Sequence, residues 1–490
     1  MDTFRHFIAN EFVPAASGAT LDVHEPATGR VYAQVSAGDA RDVDAAVKAA
    51  AAAFPAWSAT PVLERSRLLF RLAELIDANL ERLAQAESRD CGKPISLARS
   101  VDIPRSAVNF RYFSGAVLHT TGEMHETEHP GIGAPIRAMN WTLRRPRGVT
   151  GLIAPWNLPL YLLTWKIAPA LATGNTCVAK PSEVTPATAT LLGELAREAG
   201  LPPGVLNIVH GAGQDCGGSI VTHPNVPAIS FTGSTGVGRW IGESCGGQLK
   251  RVSLELGGKN PFIIFDDADL DDAVATALRA AFTNQGQICL CGSRLLVQRS
   301  VADRVLEAIV KGARALTPGD PSLPETRFGA LVSRPHLDKV ATAVEQARAL
   351  GATIHCGGRS PDPASLPEQC RGGYFYVPTV LSGLDPACAV EQEEIFGPVL
   401  SVQVFDDEAH AMRLANATPY GLASVVFTRD LNRAHRAAEQ IQSGIVWINC
   451  WMVRDLRTPF GGAKASGVGR EGGLEALRFF TEPKNVCVKW

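Results

Sequence analysis

The sequence predicts an α/β protein with a doubly wound parallel sheet followed by a second α/β unit. Three observations carry that expectation. Runs apolar on both faces occur at residues 149–154, 176–179, 205–209, 228–231 and 252–256, separated by helix-length connections. Such runs belong to a parallel sheet covered on both sides by helices. A second alternation of the same kind begins near Pro261-Phe-Ile-Ile-Phe265 and runs to about Pro459. Finally, 490 residues, 46% hydrophobic and 20% charged, match ordinary globular composition, and at about 150 residues per domain they allow two to four domains.

Taken in order, residues 1–40 are short strand-like runs with turn signals such as Glu25-Pro26-Ala27-Thr28-Gly29. Helical periodicity follows at Val43, Val47, Ala50, Ala51 and Phe54. A longer helix is expected after Thr60-Pro61, with Leu68, Leu72, Leu75, Ile76 and Leu83 as one apolar face and Gly92 and Pro94 beyond its end. Residues 120–135 are polar, Gly-rich and His-rich, carry no helical period, and read as an excursion or hairpin arm. No internal repeat or low-complexity tract is present.

Charge excludes several function classes. With 47 Lys+Arg against 49 Asp+Glu the formal net charge is −2, so no global field draws the chain to nucleic acid or anionic lipid. Any charged ligand must be met locally. No run of about 18 apolar residues occurs, and the start Met1-Asp2-Thr3-Phe4-Arg5-His6 leads into no apolar signal core. Eleven cysteines without C-x-x-C spacing fit reduced thiols in a cytoplasmic enzyme. Cys289-Leu-Cys291 is the one close pair; no second Cys or His pair stands at ligand spacing, so no metal site is expected.

The glycine pattern narrows the ligand. Gly211-Ala-Gly213 is followed by a glycine at 217, one residue too late for G-x-G-x-x-G. Phe231-Thr-Gly233-Ser234-Thr-Gly236-Val237-Gly238 instead follows a strand and opens a helix, placing backbone amides and a hydroxyl where phosphate can be met. Arg239-Trp240 stands where a P-loop needs Lys-Ser/Thr, which argues against an ATPase.

Three segments together suggest covalent chemistry. Phe282-Thr-Asn-Gln-Gly286-Gln-Ile-Cys289 sets a thiol just after a glycine turn. Val252-Ser-Leu-Glu255-Leu256-Gly-Gly-Lys259 sets an acid among apolar strand residues, where desolvation raises its pKa toward the range of a general base. Ala154-Pro155-Trp156-Asn157-Leu-Pro159 offers an amide to an oxyanion from a loop stiffened by prolines.

With Lys180-Pro-Ser-Glu183, Glu394-Ile-Phe396-Gly-Pro and Pro459-Phe460-Gly-Gly added, the motifs span residues 155–462 in order and resemble the aldehyde dehydrogenase superfamily. The resemblance implies an NAD domain at residues 1–119 and 147–257, a catalytic domain at 258–459, and an oligomerisation arm and C-terminal strand at 120–146 and 475–490. It implies Cys289 as nucleophile, Asn157 with the Cys289 backbone N–H as oxyanion donors, and Glu255 as the base that activates water. It assigns Lys180 and Glu183 to the adenosine ribose, and Gly213, Gly233 and Ser234 to the adenine side and pyrophosphate. Glu394 and Phe396 go to the nicotinamide ribose, while Pro155, Trp156, Phe231, Val237 and Leu256 line the cofactor site. A carboxylate at Glu183 repels a 2′-phosphate, so NAD is expected over NADP.

The stretch Asn449-Cys-Trp-Met-Val-Arg454-Asp-Leu-Arg457-Thr-Pro459-Phe460, with Asn109-Phe-Arg111 and Tyr161-Leu-Leu-Thr-Trp165, is similar to the branch acting on 2-aminomuconate and 2-hydroxymuconate semialdehydes in aromatic or tryptophan-type catabolism. The resemblance implies that Arg111 and Arg454 hold the substrate carboxylate, with Phe460 beside them. A guanidinium fork suits a carboxylate, whereas a simple alkyl aldehyde needs none. Against this, Asp455 and Arg457 make a local ion pair with Arg454 plausible. Two rivals are a CoA-acylating enzyme, for which Glu255 would be superfluous, and a non-catalytic nucleotide binder, which would not need Cys289, Glu255 and Asn157 together. By resemblance the arm and tail pair strands between subunits of a homodimer or homotetramer; the alternative is a tail covering its own domain's edge.

Overall fold

The computed structural model describes residues 2–133 and 135–490. Five parallel strands build the first sheet: β1 (Val149–Ile153), β2 (Thr176–Lys180), β3 (Leu206–Ile208), β4 (Ala228–Thr232) and β5 (Arg251–Glu255), in spatial order β5-β4-β1-β2-β3. All five lie within a residue or two of the expected runs, because strands buried on both faces leave unbroken apolar stretches. The edges are closed by segments remote in sequence. His6–Ile8 runs antiparallel to β3, and Gly467–Val468 runs antiparallel to β5, with Glu255 opposite Gly467.

Chain order explains where a ligand can enter. From β1 the chain winds through β2 to β3 on one side, then returns to place β4 and β5 on the other, so the chain leaves the neighbouring strands β1 and β4 in opposite directions. A doubly wound sheet binds ligands in that crevice.

The second sheet contains β6 (Pro261–Ile264), β7 (Arg294–Gln298), β8 (Thr379–Ser382), β9 (Val399–Phe405), β10 (Ala423–Phe427) and β11 (Ile445–Ile448), in order β8-β9-β7-β6-β10-β11, all parallel. Only the hop from Leu256 to Asn260 separates the end of β5 from the start of β6, so the Glu255 end of one sheet faces the other.

The helical layer corrects the sequence reading in two places. The first helix, Ala40–Ala59, opens on a capping box between Asp39 and Asp42 and buries Val43, Ala46, Val47, Ala50 and Trp57. Ala51 faces outward instead. The helix expected from residue 60 is two, Val62–Ala78 and Leu80–Cys91. They break at Asn79, whose side chain donates back to the Leu75 carbonyl at 2.9 Å and competes with the helical ladder. Gly92, at φ 72°, ends the second as expected.

Three further helices position the site: α1 (Ile103–Ala116), α2 (Pro159–Ala172) and α3 (Thr235–Gly247). Every residue of α2 is buried, including Lys166, so it is a central rod rather than an amphipathic cover. The 120–135 excursion is partly strand: Met124–His129 pairs antiparallel with Ile136–Pro146. The C-terminal Thr481–Lys489 lies along the other side of Ile136–Pro146, with Thr481 opposite Pro146 and Lys489 opposite Ala138. Arm and tail thus form one three-stranded sheet within the chain. No helix among the described residues is long and apolar enough to cross a membrane.

Candidate active site

The crevice between β1 and β4 opens into a cavity of about 230 Å³ whose lining includes Pro155, Trp156, Asn157, Gly233, Ser234, Leu256, Cys289, Glu394 and Phe396. Residues far apart in sequence therefore meet where the strand order reverses. Pro155–Asn157 extend β1, Gly233 and Ser234 extend β4, and Leu256 follows β5.

Ser234 caps α3, accepting from the Val237 N–H at 3.5 Å. The N-terminal end of that 13-residue helix therefore faces the cavity, where unpaired amides favour an anion. Open space surrounds the Cα hydrogens of Gly213 and Gly236, since a Cβ at either position would meet nothing within 4 Å. Phe231 lies near the end of β4 under Gly233, and Val237, in the first turn of α3, is exposed. Lys180, at the end of β2, donates to Glu183 at 3.2 Å and to the Pro181 carbonyl at 3.0 Å. Across the opening, Glu394 accepts from the Gly258 N–H at 3.0 Å; burial pushes its carboxyl up to about 7. A groove with a helix N-terminus at one end, a Lys–Glu pair on its flank and an aromatic wall of Trp156 and Phe396 fits a nicotinamide dinucleotide.

Cys289 reaches this cavity through an unusual turn. Asn284, Gln285 and Gly286 are successively left-handed, at φ 52°, 55° and 72°, a conformation costly for the two residues that carry a Cβ. The turn is tied down by Asn284, which donates to the Asn157 carbonyl at 3.1 Å, and by Asn157 itself, which donates to the Gln287 carbonyl at 2.9 Å. One Asn157 Nδ2 hydrogen is spent there and the second stays free for a substrate oxygen. The Cys289 N–H has no acceptor among the described residues, and its carbonyl is held by Asn260 at 2.7 Å. Burial, then Glu394 and Glu255, push the Cys289 thiol up to about 12, while Arg454 pulls it down.

Glu255 ends β5 with both carboxylate oxygens buried and without a hydrogen-bond partner. Burial first, and the like charge of Glu471 second, raise its pKa well above the carboxylate range. Its wall includes Gly461, at φ 157°, where a Cβ would come within 2.6 Å of Glu255 Oε1. Sequence reasoning missed what stands behind it: Lys166 of α2 pairs with Glu471 at 2.7 Å and donates to Ser230 Oγ at 3.1 Å. A lysine in an apolar helix was the available signal.

On the other side of Cys289 the structure separates the two predicted arginines. Arg454 donates to the Tyr161 hydroxyl at 2.9 Å and lies over the Phe460 ring at 3.8 Å and the Trp165 ring at 5.7 Å. The expected competition from Asp455 does not occur, because Asp455 pairs with Arg457 at 2.6 Å. Arg111 is a correction. Its guanidinium pairs with Asp77 and lies over the exposed Phe70 ring, away from Trp165. Six residues earlier on α1, about 240° round a 3.6-residue helix, Arg105 takes the inward position. It lies over Tyr161 and Trp165 at 5.3 and 5.4 Å, with Nε donating to Asn109 at 3.2 Å and Nη2 buried without a partner. Among the described residues no carboxylate lies within ion-pair distance of Arg105 or Arg454.

Over residues 12–486 the sequence matches the profile of the aldehyde dehydrogenase family. It is 52% identical to a 2-aminomuconic semialdehyde dehydrogenase of Danio rerio over 484 residues, covering 99% of this chain and 98% of that one. It is 47% identical to a 2-hydroxymuconic semialdehyde dehydrogenase of Pseudomonas sp. strain CF600, covering all of both. The solved structure of an indole-3-acetaldehyde dehydrogenase from P. syringae with NAD+ superposes with a TM-score of 0.95 at 40% identity, covering 99% of this chain and 97% of that one.

Proposed function

Since this chain belongs to the aldehyde dehydrogenase family, we propose that it uses NAD to oxidise a semialdehyde bearing a distant carboxylate, 2-aminomuconate 6-semialdehyde or its 2-hydroxy analogue, to the dicarboxylic acid. The single observation that carries the substrate class is the pair Arg105 and Arg454 on the face of Trp165, one with an orphan buried Nη2 and neither with an acid. A buried guanidinium without a counter-ion is costly, and an anionic ligand relieves that cost. The clamp is thus Arg105 with Arg454, in place of Arg111.

The residues divide the reaction among them. The Cys289 thiol gives its proton to solvent water, and the thiolate sulfur bonds to the aldehyde carbon as the C=O π pair moves onto oxygen. The free Asn157 Nδ2 hydrogen and the Cys289 N–H then stabilise the oxyanion. NAD, when bound, accepts the hydride that leaves this carbon. Glu255 takes a proton from water, the resulting hydroxide attacks the acyl-thioester, and Cys289 is released with the acid. Glu394 and Phe396 position the nicotinamide ribose, Lys180 and Glu183 the adenosine ribose, and Gly213, Gly233 and Ser234 the adenine side and pyrophosphate.

On this reading residues 1–119 and 147–257 are the NAD domain, 258–459 the catalytic domain, and the three-stranded arm the oligomerisation element of a cytoplasmic homodimer or homotetramer. Rates of NADH formation test the proposal. The carboxylated semialdehyde should exceed a neutral aldehyde of equal length by roughly 10²-fold in kcat/KM, with NAD preferred to NADP. Equal values for the two aldehydes, or a preference for NADP, would overturn it.

A further inference from the structure

One half-buried side chain on the cavity wall has no role in the scheme above. His336 sits in the first turn of a helix introduced here as α4 (Arg334–Ala349), where the cap residue Ser333 accepts from its N–H at 3.3 Å. Its ring reaches 2.7 Å from the Phe396 carbonyl. A carbonyl can only accept, so Nε2 carries the proton and donates. The ring also packs edge-on to Trp156, with centroids 4.9 Å apart, and to Phe396 at 6.2 Å; Trp156 and Phe396 stand nearly perpendicular at 5.3 Å. Burial lowers the His336 pKa to about 4, so the ring stays neutral and moves no proton at working pH.

Phe396 needs such a restraint. It is non-glycine yet left-handed, at φ 61°, a conformation that persists only where its surroundings enforce it. The following Gly397 is wedged between α4, where its missing Cβ would meet Val340 at 2.5 Å, and the turn leading to Cys289, where the Gly397 carbonyl lies against Gly286. Gln287 of the same turn accepts from the Val332 N–H just before α4 at 3.1 Å. The start of α4 is therefore braced against both the cofactor wall and the nucleophile turn.

We infer that His336 is a positioning residue: through its bond to the Phe396 carbonyl and its edge on Trp156, it holds the aromatic wall against which the nicotinamide must lie for its reacting carbon to face Cys289. This rests on the functional reading above and deepens it. The hydride step should depend on His336, whereas acyl transfer by Cys289, Asn157 and Glu255 should not.

The test compares His336→Leu, which removes the donor, with His336→Gln, whose amide can still donate to Phe396. For His336→Leu, KM for NAD should rise and kcat fall, each by about 10-fold, and a primary isotope effect should appear with substrate deuterated at the aldehyde carbon. Hydrolysis of an activated aryl ester without NAD, which reports on Cys289 alone, should stay within about 2-fold. His336→Gln should recover most of the hydride step. If ester hydrolysis falls in parallel with dehydrogenase activity, or if the Gln variant matches Leu while its ester hydrolysis is intact, the inference fails. NADH formation by the unaltered enzyme reports separately on the functional reading.

Discussion

The two walls flanking Cys289 are built from different materials. On one side, the surfaces are strand ends, a helix N-terminus and an aromatic pair: Pro155 to Asn157, Thr232 to Ser234, Leu256, Gly257 and Phe396. On the aldehyde side they are side chains of helices α1 and α2 and of the 449–460 loop: Arg105, Tyr161, Trp165, Arg454 and Phe460. On the reading proposed above, the first wall meets the cofactor that every turnover shares, with backbone amides and the Trp156 and Phe396 rings. On the same reading, the second distinguishes one aldehyde from another by charge. On the aldehyde wall, rotation about one helix decides whether an arginine faces Trp165, as Arg105 does, or Asp77, as Arg111 does.

The contrast breaks most visibly if both inward arginines are shortened. Arg105→Met with Arg454→Met keeps the aliphatic stems on Trp165 but removes both forks, and should lower kcat/KM for the carboxylated semialdehyde by roughly 10²–10³-fold. The KM for NAD should hold, because the other wall is untouched. Parallel losses on a neutral aldehyde would show that the arginines support the fold rather than the substrate.

A smaller effect probes the junction between the walls. Glu255 acts as a base only when ionised, and burial and Glu471 raise its pKa. Glu471→Gln removes the like charge and frees Lys166 to favour the ionised form, so the acid limb of the pH–rate profile for thioester or ester hydrolysis should move to lower pH. An unmoved limb, or one displaced upward, would mean that Glu471 does not act on Glu255.

The smallest expected effect is the most diagnostic of helical phase. Arg111→Ala breaks a part-exposed pair with Asp77 and should cost at most about 1 kcal/mol of stability in thermal or urea unfolding. The ratio of kcat/KM between the carboxylated and neutral aldehydes should not change. A selective loss on the carboxylated substrate would return Arg111 to the clamp.

The particular residues show which features were legible in advance. The five strands of the first sheet were, since burial on both faces leaves continuous apolar runs. So was the placement of Asn157, Glu255 and Cys289, each at a strand end or glycine turn within a local pattern. The break at Asn79 was not: a single amide turning back on its own helix leaves the apolar period of residues 68–83 nearly intact. Nor was the brace at His336, a lone histidine in an amphipathic helix.

The amino-acid order alone thus determined the sheet, the place of the candidate nucleophile and the family, because those depend on periodicity and on short spacings along the chain. Tertiary structure alone decided which of two arginines six positions apart faces Trp165, and that Lys166 and Glu471 stand behind Glu255. Those outcomes depend on helix rotation and on contacts between segments up to about 300 residues apart, such as the Lys166–Glu471 pair with a separation of 305, and no local pattern encodes a distance of that kind.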